Sequence, residues 1–563
     1  MDGTYRTKIL LAVSLIVFLL LLVPVFALVI GLSFFSSLGT SSFSFWHFIA
    51  LPSTLDLVET TLEFSIVSAA MTTVLATTYA WFVARTNVPG KRILELLPLL
   101  GLTVPILFKA FSWTFMLNQN SGIINAVLKS LLGAGAPVLN VETMLGLIFV
   151  QSFTNVPIVY LITLAAMKSL DSSMEEASRV SVRGILRTFG SVTVPIVRPA
   201  VFSAFMLAII GGVGAFEFPF ILGTPGGVHT LSTEVYFYAQ QRVPPAYGTA
   251  GYVSVLYAIV TIASVSIYIW STRRSFKFQT VTGRSTSGHL QNLGSFRYLA
   301  LLICLVILFF EFILPFGGLV LMSTTTIYGS NLNSVRVNFP AFYVGALQIP
   351  LIFNSLRTTL FFGLIAAALA TIIGSLLSYS ALKGSARGAR FADYISAVPL
   401  AFPGVVYGVA LFWTFLLVPG VNLIYGTIWP MVIALIFIRL PFTTRIISGN
   451  MVQISNELMD ASQVTGASFT RTFTRILMPL IKDGLFNSFV YTLIDSMREL
   501  GGVVILATAA TPTFTTLLLQ YYNEKSSQIG NVAAASVIFT GIITLLLIAS
   551  AVVRHFWGRT SRE

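Results

Sequence analysis

The chain reads as an all-α integral membrane protein of about 12 transmembrane helices in two homologous six-helix halves. Three observations lead there. Only 9% of its 563 residues are charged and 56% are hydrophobic, whereas a soluble domain carries roughly a quarter charged residues. About twelve runs reach the ~20 predominantly apolar residues that a bilayer crossing needs. The later part of the chain also repeats the earlier part.

In chain order the runs fall near 9–34, 57–84, 96–116, 142–167, 199–222, 248–271, 298–322, 356–382, 393–418, 425–444, 484–508 and 530–553. The first follows Arg6 and Lys8 like a signal peptide, but it is too long for one and lacks a clean cleavage site. It therefore reads as a retained anchor helix. Of the 33 Lys and Arg, 25 fall in loops and ends on the N-terminal side and five on the opposite side. The other three, Lys109, Arg439 and Arg498, lie within runs. Basic residues concentrate in cytoplasmic loops, so both termini are expected inside and the number of spans even.

The repeat is legible by eye. VETTLEFSIVSAAMTTVLATTYAWFVAR from Val58 matches LRTTLFFGLIAAALATIIGSLLSYSALK from Leu356, an offset of 298. Pro98, Pro105 and Pro157 find counterparts in Pro399, Pro403 and Pro441. The expected organisation is a first module over 1–271, a polar linker over 272–296 rich in Ser, Thr, Gly and basic residues, and a second module over 297–563. Six spans per half make the repeat parallel, and the linker composition is that of a flexible connection.

Several function classes drop out. Cys304 is the single cysteine, and the four histidines show no metal-ligand spacing, which leaves no disulfide, zinc or redox motif. The net charge of +13 reflects the cytoplasmic loops rather than a nucleic-acid surface. GRSTSGHL from Gly283 has phosphate-loop glycine spacing but places His289 where the lysine belongs, in a linker rather than between strand and helix.

One polar segment occurs twice in this apolar chain. EASRVSVRGILRTFGSVTVP, Glu176 to Pro195, and DASQVTGASFTRTFTRILMP, Asp460 to Pro479, share seven of twenty residues. Both precede the fifth run of their half. Ser172 with Glu175 forms a capping-box pattern, and Ser455 or Asn456 offers the same cap in the second copy. Ala177 with Val180, and Ala461 with Val464, share a helix face. Gly184 and Gly466 then interrupt the helix before a second, basic piece. Each copy is expected to be a cytosolic helix–turn–helix within the loops 172–195 and 455–479.

This segment resembles the EAA loop of permease subunits in binding-protein-dependent ABC importers, with Asp460, Ala461, Gly466 and Pro479 on the motif positions. The first copy keeps Glu176, Ala177 and Pro195 but has Val182 at the motif glycine, with Gly184 two positions late. The resemblance implies a type I importer permease fold in a bacterial or archaeal cytoplasmic membrane. It implies docking on a cytoplasmic ATPase homodimer that binds ATP and Mg, delivery by an external or periplasmic binding protein, and no cofactor in this chain. MRELG, from Met497, resembles iron, sulfate and molybdate permeases, and two modules in one chain resemble fused ferric-iron permeases. Iron(III) is the expected substrate, with thiamine, 2-aminoethylphosphonate, a polyamine or an oxyanion as alternatives. A gradient-driven secondary transporter also fits twelve spans in two parallel halves, but has no need of the paired polar segment.

Ionisable groups within spans are costly, hence candidates for a translocation path or gate. They are Glu217 in the fifth run, Asp495, Arg498 and Glu499 in its counterpart, and Lys109 in the third. Glu217 and Glu499 align only with a small gap. Arg498 pairs with Asp495 or lines the path; Lys109 snorkels or faces a cavity. No residue is read as a metal ligand.

The unequal motifs give a prediction. Replacing Gly466 with a bulky residue, or Asp460 with Lys, uncouples ATP hydrolysis from transport, while changes at Val182 and Glu176 do less. Transport and ATPase rates measured on both sets decide it, and equal losses would remove the asymmetry.

Overall fold

The computed structural model describes residues 45–133, 135–170, 185–275, 290–327, 335–383, 386–524 and 528–560, with single positions between 16 and 31. Glu176, Ala177, Val182 and Gly184, most of the first run and most of the linker lie outside these residues.

The principal helices are α1 (Pro52–Arg85), α2 (Ile106–Leu117), α3 (Met144–Thr154), α4 (Val156–Lys168), α5 (Val194–Val213), α6 (Tyr247–Ser275), α7 (Phe296–Leu308) and α8 (Leu314–Thr324). They continue as α9 (Pro350–Lys383), α10 (Gly404–Leu417), α11 (Trp429–Met451), α12 (Asn456–Val464), α13 (Lys482–Met497), α14 (Phe514–Asn523) and α15 (Ile529–Thr560). Thr325–Ile327 pairs antiparallel with Val335–Val337.

Among the described residues, seven helices are long and apolar enough to cross a membrane, and up to ten if each bent pair counts as one span. Of the two expected runs not among these ten, 9–34 lies mostly outside the described residues and 484–508 carries a helix of only 16 residues, Lys482–Met497. The runs at 199–222 and 484–508 do not stay helical: α5 stops at Val213 and α13 at Met497. The apolar residues beyond continue as turns and short wide or tight helical segments. Hydropathy does not separate apolar irregular backbone from apolar helix. The third run of each half is bent, by 94° between Lys91–Leu102 and Ile106–Leu117 and by 102° between Ala392–Ala401 and Gly404–Leu417. Pro105 and Pro403 cap the outer limbs with nearly identical backbone angles.

Prolines also set a second recurring feature. Single π-helical turns at Phe189–Thr193, Phe309–Ile313 and Phe473–Leu477 each end two residues before Pro195, Pro315 or Pro479. A proline has no N–H to return to the carbonyl four residues back, so the preceding turn opens to i→i+5 bonding at little cost.

The chain folds as two compact units. One gathers Ala50–Thr233 with Val260–Tyr343; the other gathers Met1–Ile49, Glu234–Ile259 and Val344–Glu563. Neither coincides with a sequence half: each takes the first helix of the other half into its core. In the first unit Cys304 of α7 is fully buried with Tyr79, Trp81 and Tyr160. In the second, Tyr407 donates to the Leu20 carbonyl at 2.9 Å, and Gly31 lies flat against the Trp413 ring.

Helices touch through small residues where nothing larger fits. A Cβ on Gly212 of α5 would meet Ser65 Cα of α1 at 2.9 Å, whereas one on its neighbour Gly211 meets nothing within 4 Å. Gly212→Leu therefore destabilises the purified chain by roughly 1–3 kcal/mol through overpacking, and Gly211→Ala leaves it unchanged. Thermal unfolding in detergent reads both, and equal effects would contradict the assigned contact.

Candidate functional site

The second polar segment folds as expected. Four residues separate α11 from α12, whose first turn carries Glu457, where a carboxylate suits the helix dipole. Gly466 ends it at φ +79°, a left-handed conformation that a side chain disfavours. The limbs are joined by a buried Ser462–Thr472 hydroxyl bond of 2.8 Å. Ala461, Leu458 and Val464 are exposed, Val464 at 88%. Asp460 lies on α12, and its side chain is outside the described residues. Beyond Gly466 the chain passes through the wide turn Phe473–Leu477 to Pro479.

Pro195 takes the matching place at the start of α5. Phe189 packs on Trp81 at 4.4 Å between ring centroids, and Phe473 on Tyr379 at 5.8 Å. These pairs are equivalent in the repeat, at offsets of 284 for the phenylalanines and 298 for their partners. In both halves the second limb of the polar segment is thus anchored to the C-terminal end of the long helix, α1 or α9.

Asp495, Arg498 and Glu499 come together at the end of α13, with a fourth partner. Arg439 of α11 forms ion pairs with both Asp495 and Glu499, and Arg498 pairs with Asp495. Arg439 also donates to the Asp495 carbonyl at 3.0 Å and is 8% exposed. Two cations and two anions make the cluster neutral, which limits the cost of burying it. Glu499 has a further role: its second carboxylate oxygen accepts from Gly502 N at 2.8 Å. A Cβ on Gly404, the first residue of α10, would lie 3.1 Å from that oxygen. Glu499 therefore sits against the positive end of α10, at the bend of its span.

The first half keeps the backbone and lacks the charges. At the same 284 offset Arg439, Asp495, Arg498 and Glu499 face Asn155, Gly211, Gly214 and Ala215. Hydrogen bonds fix the alignment: Ser232 Oγ donates to the Ala215 carbonyl at 2.6 Å, and Thr515 Oγ1 to the Glu499 carbonyl at 2.9 Å. Ala215, not Glu217, is therefore the counterpart of Glu499. Glu217 is half-buried just beyond α5, in the other compact unit. Lys109 does not snorkel; it is 1% exposed within α2, where it interacts electrostatically with Glu311, likewise 1% exposed.

A cavity of about 390 Å³ beside the C-terminal part of α11 has a related origin. Its wall includes Leu377 and Thr444, the repeat counterparts of Tyr79 and Tyr160. In the first half those phenols fill the space and donate to the carbonyls of Leu94 and Glu95 at 2.7 and 2.9 Å. Among the described residues no group of three His, Cys, Asp or Glu could hold a metal ion.

Residues 73–275 and 370–557 each match the family model of the binding-protein-dependent transport system inner membrane component. The chain belongs to that family. Its two copies follow the two halves read from the repeat, in the all-α two-half architecture of type I permeases. Curated relatives include the ferric transport system permease protein FbpB of Actinobacillus pleuropneumoniae, 26% identical over 71% of this chain. The putative ferric transport system permease protein FbpB 1 of Haemophilus influenzae is 27% identical over 66%. The matched stretch spans 57% of each of those two relatives. The Fe(3+)-transport system permease protein FbpB 2 of Haemophilus influenzae is 23% identical, covering 84% of this chain and 85% of its own length. As an inner membrane component of this family, the chain is a multi-pass membrane protein.

The sequence reading counted Arg439 among the intramembrane cations without giving it a partner, and passed over Glu311. Each had a signal. Glu311 is the only Asp, Glu, Lys or Arg between Arg297 and Arg336, and Arg439 lies two residues from a repeat-matched proline. Arg439→Gln leaves two buried carboxylates with one cation and costs roughly 3–5 kcal/mol. The double variant R439Q/E499Q, neutral again, recovers part of that loss. Unfolding temperatures of the three proteins test it, and a double variant no more stable than R439Q would refute charge balance as the cause.

Proposed function

We propose that this chain forms the translocation path of a binding-protein-dependent ABC importer and is driven by a separate cytoplasmic ATPase homodimer that binds ATP and Mg. The observation carrying the proposal is the anchoring of the polar segment in both halves, Phe189 on Trp81 and Phe473 on Tyr379. A short exposed helix with apolar Leu458 and Val464 outward, tied through its second limb to a membrane-crossing helix, is built to be held by another protein. An ATPase dimer offers two equivalent clefts, and the chain brings one such segment per half.

In this reading the second half transmits motion through α11. That helix runs unbroken from Trp429 to Met451 through Pro441, whereas the first half bends by 46° between α3 and α4, beside Pro157. Displacement of α12 reaches Arg439 along a single rod. Arg439 passes it to Asp495 and Glu499, and Glu499 touches the bend at Gly404. The irregular backbone after α13 then moves with the gate. Lipid-exposed loops are not tolerated at membrane depth, so this segment belongs against protein or an aqueous path.

Iron(III) is the proposed cargo, delivered by an external binding protein, with both termini of the chain cytoplasmic. Support comes from the relatives named ferric permeases. Relatives named sulfate permeases are also similar, such as CysW of Synechococcus elongatus at 25% identity over 37% of this chain.

The test is reconstitution of the chain in vesicles with its co-purifying ATPase and binding protein, followed by uptake of labelled iron(III) and labelled sulfate. Iron uptake that needs ATP supports the reading, and sulfate uptake alone moves the cargo to oxyanions. Uptake driven by an ion gradient, with no ATPase bound, replaces the importer by a secondary transporter.

A further inference from the structure

We infer that Lys109 and Glu311 form a charge code that docks the second half's first helix, Phe296–Thr324, onto the first half. The geometry begins with a repeat in how the two crossing helices are received. Pro24 and Pro315 leave without a donor the carbonyls four residues back, those of Leu20 and Glu311. The receiving residues lie four after the capping prolines Pro105 and Pro403, and they are Lys109 and Tyr407. Tyr407 answers Leu20 with a hydroxyl, which donates to the freed carbonyl at 2.9 Å. At the matching place Lys109 meets a helix that brings a carboxylate.

The environment of Glu311 leaves it no alternative of the same kind. It stands in the wide turn Phe309–Ile313, in the middle of the apolar stretch. Both its carboxylate oxygens are buried, with no hydrogen-bond partner among the described residues. One packs where a Cβ on Gly101 would fall 1.3 Å away, so a side chain at that position would have to displace the carboxylate. A second close contact follows further along: a Cβ on Gly318 would lie 2.1 Å from Ser112 Oγ. α2 and α8 therefore run side by side with Ser112 at the level of Gly318, and Lys109, one turn before Ser112, lies on the side of that contact toward Gly101 and Glu311.

Apolar packing does not choose between the halves, because lipid is as apolar as leucine and both halves offer a bent third span. A buried carboxylate does choose. Facing lipid, or docked on the second half's own core against Tyr407, Glu311 would be a buried charge without a cation. Against Lys109 the two charges offset each other. Setting register is the best-attested use of buried ion pairs.

The experiment uses the full chain with Cys304→Ala, cysteines at Ser112 and Gly318, and a specific protease site inserted between residues 283 and 284. After oxidation and cleavage, docked halves stay joined on a non-reducing gel. Lys109→Glu and Glu311→Lys each cut the joined fraction by about tenfold or more, and the reversed pair K109E/E311K restores most of it. Single reversals that keep the parental fraction overturn the proposal, as does a reversed pair that fails to restore it. If a reversal yields no monodisperse protein, Glu311→Gln decides. A folded Glu311→Gln protein with an unchanged joined fraction means that packing alone directs the helix, and the code is discarded.

Discussion

A chain at membrane depth cannot leave a backbone N–H or C=O unpaired, and both halves of this protein are organised around that constraint. Each breaks off its fifth helix in the apolar layer and must start another beyond it, so each creates N–H groups that no helix satisfies. The solution is the same twice. Thr61 accepts from Leu231 N at 3.0 Å, and Thr359 from Phe514 N at 2.8 Å. Each threonine also donates to its own helix, at the Leu57 and Ser355 carbonyls. One hydroxyl on the long helix thereby closes both sides of the account, and Ser232 and Thr515 satisfy the carbonyls at the other end of the break.

This scaffold explains which parts of the repeat were free to diverge. Threonines at 61 and 359, prolines at 105 and 403, and the wide turns before Pro195 and Pro479 answer backbone needs, and they stand in both halves. Charged side chains answer no such need. The second half buries Arg439, Asp495, Arg498 and Glu499 where the first has Asn155, Gly211, Gly214 and Ala215. The first half instead fills with Tyr79 and Tyr160 a space that the second leaves as a cavity beside Leu377 and Thr444. Two copies of one frame thus hold one electrostatic centre each, of different composition: a neutral quartet in one unit, and Lys109 with Glu311 in the other.

Much of this was legible in the sequence. Composition and run length gave a multi-span helical protein, and the helix and turn of the second polar segment lie where the repeated motif placed them. The alignment of the acids failed. Glu217 and Glu499 were joined through a gap because both are acidic, yet the hydrogen bonds at Ala215 and Glu499 show that the register needs no gap there. Windows over 199–222 and 484–508 are apolar throughout, and hydropathy is blind to the helices that stop within them, α5 at Val213 and α13 at Met497. The exchange of first helices between halves was also out of reach. No local pattern in 298–322 says which core receives the helix; only a side chain on the far partner, Lys109, distinguishes them.

The exchange bears on how a fused chain differs from two separate ones. With the helices exchanged, each unit contains sequence from both halves. The linker's end is part of that arrangement. Gln291 pairs with the chain at Thr86, and its N–H donates to the Arg85 carbonyl at 2.8 Å. Asn87 bonds both Asn292 and Leu293 N. The approach of α7 is therefore fixed at its N-terminal end by these hydrogen bonds and at membrane depth by a charge. Two fixed points define the position of a rigid helix, and a helix so held moves as part of the unit that receives it.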